Sequence, residues 1–264
     1  MRRRLWFPAL LWFALAATVA FLTLPVLAIF VHTSPGVLLE SLGHRQSLEA
    51  LRVSVITSTI AVIVILLIGT PAAYLLATRP FRGSAVVLTL IELPLVLPPA
   101  VAGIGLLVAL GPGGLLGGAL ADLHIQLVPQ TAGVVVALVF VSAPFYLSQA
   151  HAAFQSVERT HLEAALALGA TKPGVLLRVA IPIARRGLVA GTALAWGRAL
   201  GEFGATLLFA GSFQGVTQTA PLAIFEDLAT DFPAALALSA ILIAASAALL
   251  LTIKLVFARP QPPI

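Results

Sequence analysis

Apolar residues run in six long stretches, at about 5–31, 53–77, 85–110, 130–152, 186–210 and 233–257, separated by polar intervals. Each stretch supplies about the 20 residues that an α-helix needs to cross roughly 30 Å of hydrocarbon. The pattern predicts an all-α membrane protein made of one domain, 1–264, with six transmembrane helices. An even number of spans puts both termini on one side, and the basic residues say which. Arg2, Arg3 and Arg4 precede the first span, and Arg79 and Arg82 follow the second. Arg159, Lys172, Arg178, Arg185 and Arg186 lie between the fourth and fifth, and Lys254 and Arg259 close the sixth. Only Arg45 and Arg52 fall on the other side, so the termini and the 153–185 loop are expected in the cytoplasm, with 32–52, 111–129 and 211–232 facing outward.

Composition adds exclusions. With 60% hydrophobic and 9% charged residues and a mean hydropathy of +1.07, too little polar surface remains for a soluble globule. The net charge of +5 is accounted for by clusters beside the spans, so membrane topology explains it and no nucleic-acid partner is expected. The absence of cysteine excludes disulfides, thiolate metal sites and cysteine nucleophiles. The first stretch is too long for a secretory signal and has no clear small-residue cleavage site after it, so an uncleaved span is expected.

Charges inside the spans are the candidates for function, because each costs about 2.5–3.5 kcal/mol near the bilayer centre. Only Glu92, Arg198 and Glu202 qualify. Glu92 opens a run that contains Pro94, Pro98 and Pro99. Three prolines remove three backbone donors, tolerable inside a membrane only where protein or a water-filled cavity satisfies the freed carbonyls. That run reads as a pathway lining or hinge, or as a static kink. Arg198 and Glu202, four apart, read either as a structural ion pair or as part of a close-packed gate with Gly201, Gly204 and Thr206. Gly197, Gly201 and Gly204 permit tight helix contact. The five histidines fall in loops or at span edges, and no metal site is expected. No Gly-x-x-x-x-Gly-Lys-Ser/Thr run occurs, so the chain is neither an ATPase nor, by itself, an enzyme, and it carries no cofactor of its own.

The 153–185 loop holds Glu163-Ala164-Ala165, Gly169 and Ile181-Pro182. The small alanines allow another backbone to approach, and Gly169 can take the left-handed conformation that ends a helix. Lys172-Pro173-Gly174 reads as a turn. With this spacing the loop resembles the cytoplasmic signature of permease subunits of binding-protein-dependent ABC importers. Val179 and Ile181 are mild departures from that family's usual apolar ending. The resemblance implies a type I importer permease fold, a coupling helix at about 160–174 docking on a separate ATPase subunit, and location in the inner or plasma membrane of a prokaryote.

A narrower resemblance runs from about 50 to 257. Glu92-Leu93-Pro94-Leu95-Val96-Leu97-Pro98-Pro99 and Arg198-Ala199-Leu200-Gly201-Glu202-Phe203-Gly204-Ala205-Thr206 are similar to molybdate permease subunits, and the sulfate and tungstate permeases are alike at the same places. This implies a homodimer embedded in membrane lipid, two cytoplasmic ATPases that bind ATP and Mg, and an extracytoplasmic oxyanion-binding protein. An ATP-independent carrier or channel and a passive membrane scaffold are the readings from other classes.

Overall fold

The computed structural model describes residues 6–79 and 81–257, and among these every regular element is helical. Arg2, Arg3, Arg4 and Arg259 lie outside the described residues. In chain order the first helices are α1 Trp6–His32, α2 Pro35–Gly43, α3 Arg45–Thr78, α4 Ser84–Val96, α5 Pro99–Leu110, α6 Gly117–Asp122 and α7 Thr131–Gln155. They are followed by α8 Arg159–Ala167, α9 Lys172–Val175, α10 Ile181–Leu200, α11 Gly204–Ala210, α12 Ala220–Thr230 and α13 Phe232–Phe257.

Among the described residues four helices, α1, α3, α7 and α13, are long and apolar enough to cross a membrane, and α4 with α5 makes a fifth if that bent pair is one span. The expected third span, 85–110, is therefore two helices bent by 116° at Leu97 and Pro98. Pro98 and Pro99 have no N–H to donate, so regular bonding stops there, and Pro99 restarts a helix at its first position, where a missing donor costs nothing. The expected fifth span, 186–210, is likewise divided into α10 and α11 by 201–203. The second starts earlier than the apolar run. Arg45, Gln46, Glu49 and Arg52 form polar turns of α3, held by Arg45 Nε donating to Glu49 Oε1 at 2.6 Å. At 34 residues α3 is roughly 51 Å long and extends well beyond the hydrocarbon.

The core lies between α3, α7 and α10. Tyr146, Ala150 and Phe154 of α7 pack between Ile65 and Ala73 of α3 and Ala184, Leu188 and Ala195 of α10. Two glycines make the α7–α10 crossing close: a Cβ on Gly187 would lie 2.4 Å from Ala153 Cβ, and one on Gly191 would lie 3.0 Å from Gln149 Cβ. Without lateral hydrophobic driving force in lipid, such small-residue crossings let van der Waals contact hold helices together. By contrast α1 has no buried residue and touches chiefly α13.

Candidate functional site

Two helix breaks meet inside the bundle. A Cβ on Gly204, at the start of α11, would lie 2.8 Å from Pro99 Cβ at the start of α5, and one on Gly103 would lie 2.9 Å from the Ala205 carbonyl oxygen. The two short helices thus run side by side, both starting at a break. Glu202 sits in the second break, 1% exposed. Its Oε1 accepts from the Ala205 N–H at 2.7 Å, capping α11, and its Oε2 lies 2.5 Å from Arg198 Nη2 in the last turn of α10. One carboxylate therefore takes one N-terminal donor of α11 and forms an ion pair with the guanidinium in the last turn of α10, which ties the two sides of the break together. Arg198 is partly exposed at 26%, but its charge is already matched.

Thr206 is fully buried, and its hydroxyl has no hydrogen-bond partner among the described residues. Gly201 faces open space, its Cβ position meeting only the Gly197 carbonyl of its own helix at 3.7 Å, and Gly197 meets nothing. Of the three glycines expected at a tight crossing only Gly204 makes one. The pair that packs closely is Gly187 and Gly191, whose Gly-x-x-x-Gly spacing was the available signal. Glu92 is exposed on α4, where Ser148 of α7 donates to its Oε1 at 3.3 Å. Pro94 is half-buried inside α4, and Pro98 precedes α5 in extended conformation.

In the 153–185 loop the expected helix at 160–174 is two helices, α8 and α9. Gly169, at φ +87°, ends the first: the Ala170 N–H donates to the Ala165 carbonyl at 3.0 Å and the Gly169 N–H to that of Leu166 at 3.0 Å. This double closure requires a left-handed residue, which glycine adopts without Cβ strain. Lys172-Pro173-Gly174 is a helix start, where a turn was expected, because the Thr171 hydroxyl accepts from the Gly174 N–H at 3.3 Å and Pro173 fits the first turn. A π-helical turn, Leu176–Ala180, then joins α9 to α10, so 172–200 is one continuous helical rod. Ile181 packs against the core and Pro182 lies exposed in the first turn of α10.

Arg159, Leu162, Glu163 and Leu166 turn one face of α8 toward a cavity of about 540 Å³ walled by the ends of α3 and α7. Glu163 lines this cavity while remaining solvent-exposed. Ala165 is half-buried, while Ala164 is exposed and Leu168 is 89% exposed at the tip of the loop. Leu168 is not among the residues that the sequence singled out, and its one local signal is its place directly before the glycine that ends α8. At the other end of α3, Glu49 also accepts from Gln214 Nε2 at 3.2 Å, and Thr131 donates to the Val216 carbonyl at 2.9 Å, tying the loop after α11 to the starts of α3 and α7. Among the described residues no cluster of three or more His, Asp or Glu is arranged to hold a metal.

The family described as binding-protein-dependent transport system inner membrane component matches residues 66–260. Over 235 residues the chain is 40% identical to the molybdenum transport system permease protein ModB of Mycobacterium tuberculosis, covering 89% of each. It is 35% identical over 235 residues to the probable transport system permease protein NifC of Clostridium pasteurianum, covering 89% of this chain and 82% of that one. Identity to the sulfate transport system permease protein CysW of Synechocystis sp. is 32% over 217 residues, covering 81% and 79%. A solved bacterial ABC transporter involved in the import of the acidic polysaccharide alginate shares the fold, with a TM-score of 0.77 at 16% identity over 99% of this chain and 98% of that chain.

Proposed function

The chain belongs to the family of binding-protein-dependent transport system inner membrane components, and on that premise we propose that it is the transmembrane permease subunit of an ATP-driven importer, forming the pathway for molybdate. The observation that carries the substrate is the 40% identity to a molybdenum permease across 89% of both chains. Two copies form the pathway, two cytoplasmic ATPases supply ATP and Mg chemistry, and an extracytoplasmic binding protein delivers the anion. The chain crosses six times, with α4–α5 and α10–α11 as its two broken spans and both termini in the cytoplasm.

Several features support this reading. A carboxylate facing lipid costs about 2.5–3.5 kcal/mol even on insertion scales, so exposed Glu92 is better placed against a second copy or an aqueous pathway. The two breaks beside Pro99 and Gly204 are a natural place for the pathway to gate, with Pro94, Pro98, Gly201 and Thr206 beside it. Arg198, already paired with Glu202, leaves no deep trap for a dianion, as conduction requires. Selectivity then resides in the binding protein. The loop of Glu163, Ala164, Ala165 and Gly169 docks on the ATPase, and the rod that includes Ile181 and Pro182 carries its movement into the bundle.

The test is uptake of radiolabelled molybdate into vesicles holding this chain, its ATPase and its binding protein. Uptake that needs ATP and all three components, and that yields to tungstate but not to sulfate, is expected. Competition by sulfate would move the substrate to the second reading, which the 32% identity to a sulfate permease favours. Flux indifferent to ATP would overturn the importer.

A further inference from the structure

Opposite the exposed tip of α8 lies the cavity of about 540 Å³ between the ends of α3 and α7 and the first turns of α8 and α9. Arg79, Arg159 and Lys172 line it, with Glu163 as the sole carboxylate, a net charge of +2. Among the described residues none of these three cations has an ion-pair partner. Position along the helices does not explain all of them. Arg79 follows the C-terminus of α3, where a cation offsets the helix dipole, but Arg159 is the first residue of α8, at the end where a cation is unfavourable. Arg79, Arg159 and Lys172 come from three separate elements and are all solvent-exposed, so salt screens their mutual repulsion, and an anion seated among them would be attracted by all three charges at once.

We propose that this cavity binds a tetrahedral oxyanion, held by Arg79, Arg159 and Lys172. Arginine suits such an anion because its planar fork donates two hydrogen bonds at once, and Lys172 adds a compact charge. Tyr74 and Gln155, also in the lining, supply neutral donors. The volume exceeds that of a bare oxyanion, so the ligand is either a hydrated free anion or the phosphate of an acidic phospholipid at the end of the spans. An occupied site ties α8 to the ends of α3 and α7. Its effect on transport rests on α8 being the coupling helix, whereas the binding itself does not.

The experiment is isothermal titration of the purified full chain with sodium molybdate, sulfate and phosphate at low salt, in nanodiscs of phosphatidylcholine alone. Arg79→Gln, Arg159→Gln and Lys172→Gln are each expected to weaken binding by about tenfold, the worth of one charge-assisted hydrogen bond. Glu163→Gln removes the opposing charge and is expected to tighten it, an effect of opposite sign that misfolding does not produce. Arg82→Gln removes the same charge outside the cavity lining and is expected to change nothing. Native mass spectrometry of protein from phosphatidylglycerol nanodiscs separates the sources. Retained phosphatidylglycerol that is lost in the three cavity variants assigns a lipid headgroup, and anion binding without such retention assigns the free oxyanion. Equal anion binding and equal lipid retention in wild type and all three cavity variants, or no tightening in Glu163→Gln, would overturn the site.

Discussion

Glu202 is 1% exposed, yet it meets both the Arg198 guanidinium in the last turn of α10 and the Ala205 N–H in the first turn of α11. Removing one partner of a buried pair leaves the other uncompensated, so Glu202→Ala is expected to cost about 3–5 kcal/mol, read as a lowered thermal midpoint in detergent. Replacing both by apolar residues of similar volume, Arg198→Met with Glu202→Leu, should recover most of that stability, because no charge is then stranded. Gly187 makes a second residue-scale test. A Cβ there meets Ala153 Cβ at 2.4 Å, and neither atom can swing aside. Gly187→Ala is expected to destabilise by about 1–3 kcal/mol through overpacking, and Ala153→Gly in the same chain to restore the midpoint.

Among the elements, α8 and α12 carry distinct expectations. Leu168 stands 89% exposed at the end of α8, within the turn that the Gly169 closure forms. Leu168→Arg is expected to abolish coupling between ATP hydrolysis and uptake while leaving the thermal midpoint within about 0.5 kcal/mol of wild type, as surface changes usually do. Normal coupled uptake by the variant would move the docking surface elsewhere. At the opposite end of the molecule, burial and then Glu226 and Asp231 push the Asp227 carboxyl of α12 above the usual carboxylate range, with His44 opposing them. The folded state therefore holds this proton more tightly than the unfolded one. Its contribution to stability is greatest below the ordinary aspartate value of about 3.9 and is lost as pH rises through the folded value. Asp227→Asn is expected to raise the midpoint at pH 7 and flatten its dependence on acid pH.

The molecule as a whole leaves large apolar surfaces uncovered. On α4, Val86, Leu90 and Val96 are 62%, 62% and 80% exposed, and Val96 lies one turn from Glu92. Lipid suits the valines and leucine but not the carboxylate, so a second copy is the better cover for this face. Because the chain has no cysteine, Val96→Cys introduces a single thiol, and a bismaleimide is expected to join two copies in native membranes. Leu67→Cys, on a 71% exposed position of α3, is expected to stay monomeric. Equal cross-linking at both positions would argue for random collision.

Hydropathy alone was enough to make this an all-α membrane protein, because span length is imposed by bilayer thickness and read directly from apolar runs. The loop spacing around Glu163 and Gly169, and the runs at Glu92 and Arg198, were enough to reach the family. Where helices stop was legible only in part: the prolines marked the break before α5, but nothing local announced the one at 201–203. That break exists because Glu202 reaches Arg198 on one side and the α11 backbone on the other, a bond set that forms only in three dimensions. Tertiary packing likewise decided which glycines matter, since Gly187 meets α7 while Gly197 meets open space. It also turned Glu163 toward a cavity shared with Arg79 and Lys172. Burial and proximity between residues far apart in the chain are properties of the packed bundle, and no periodicity along one helix encodes them.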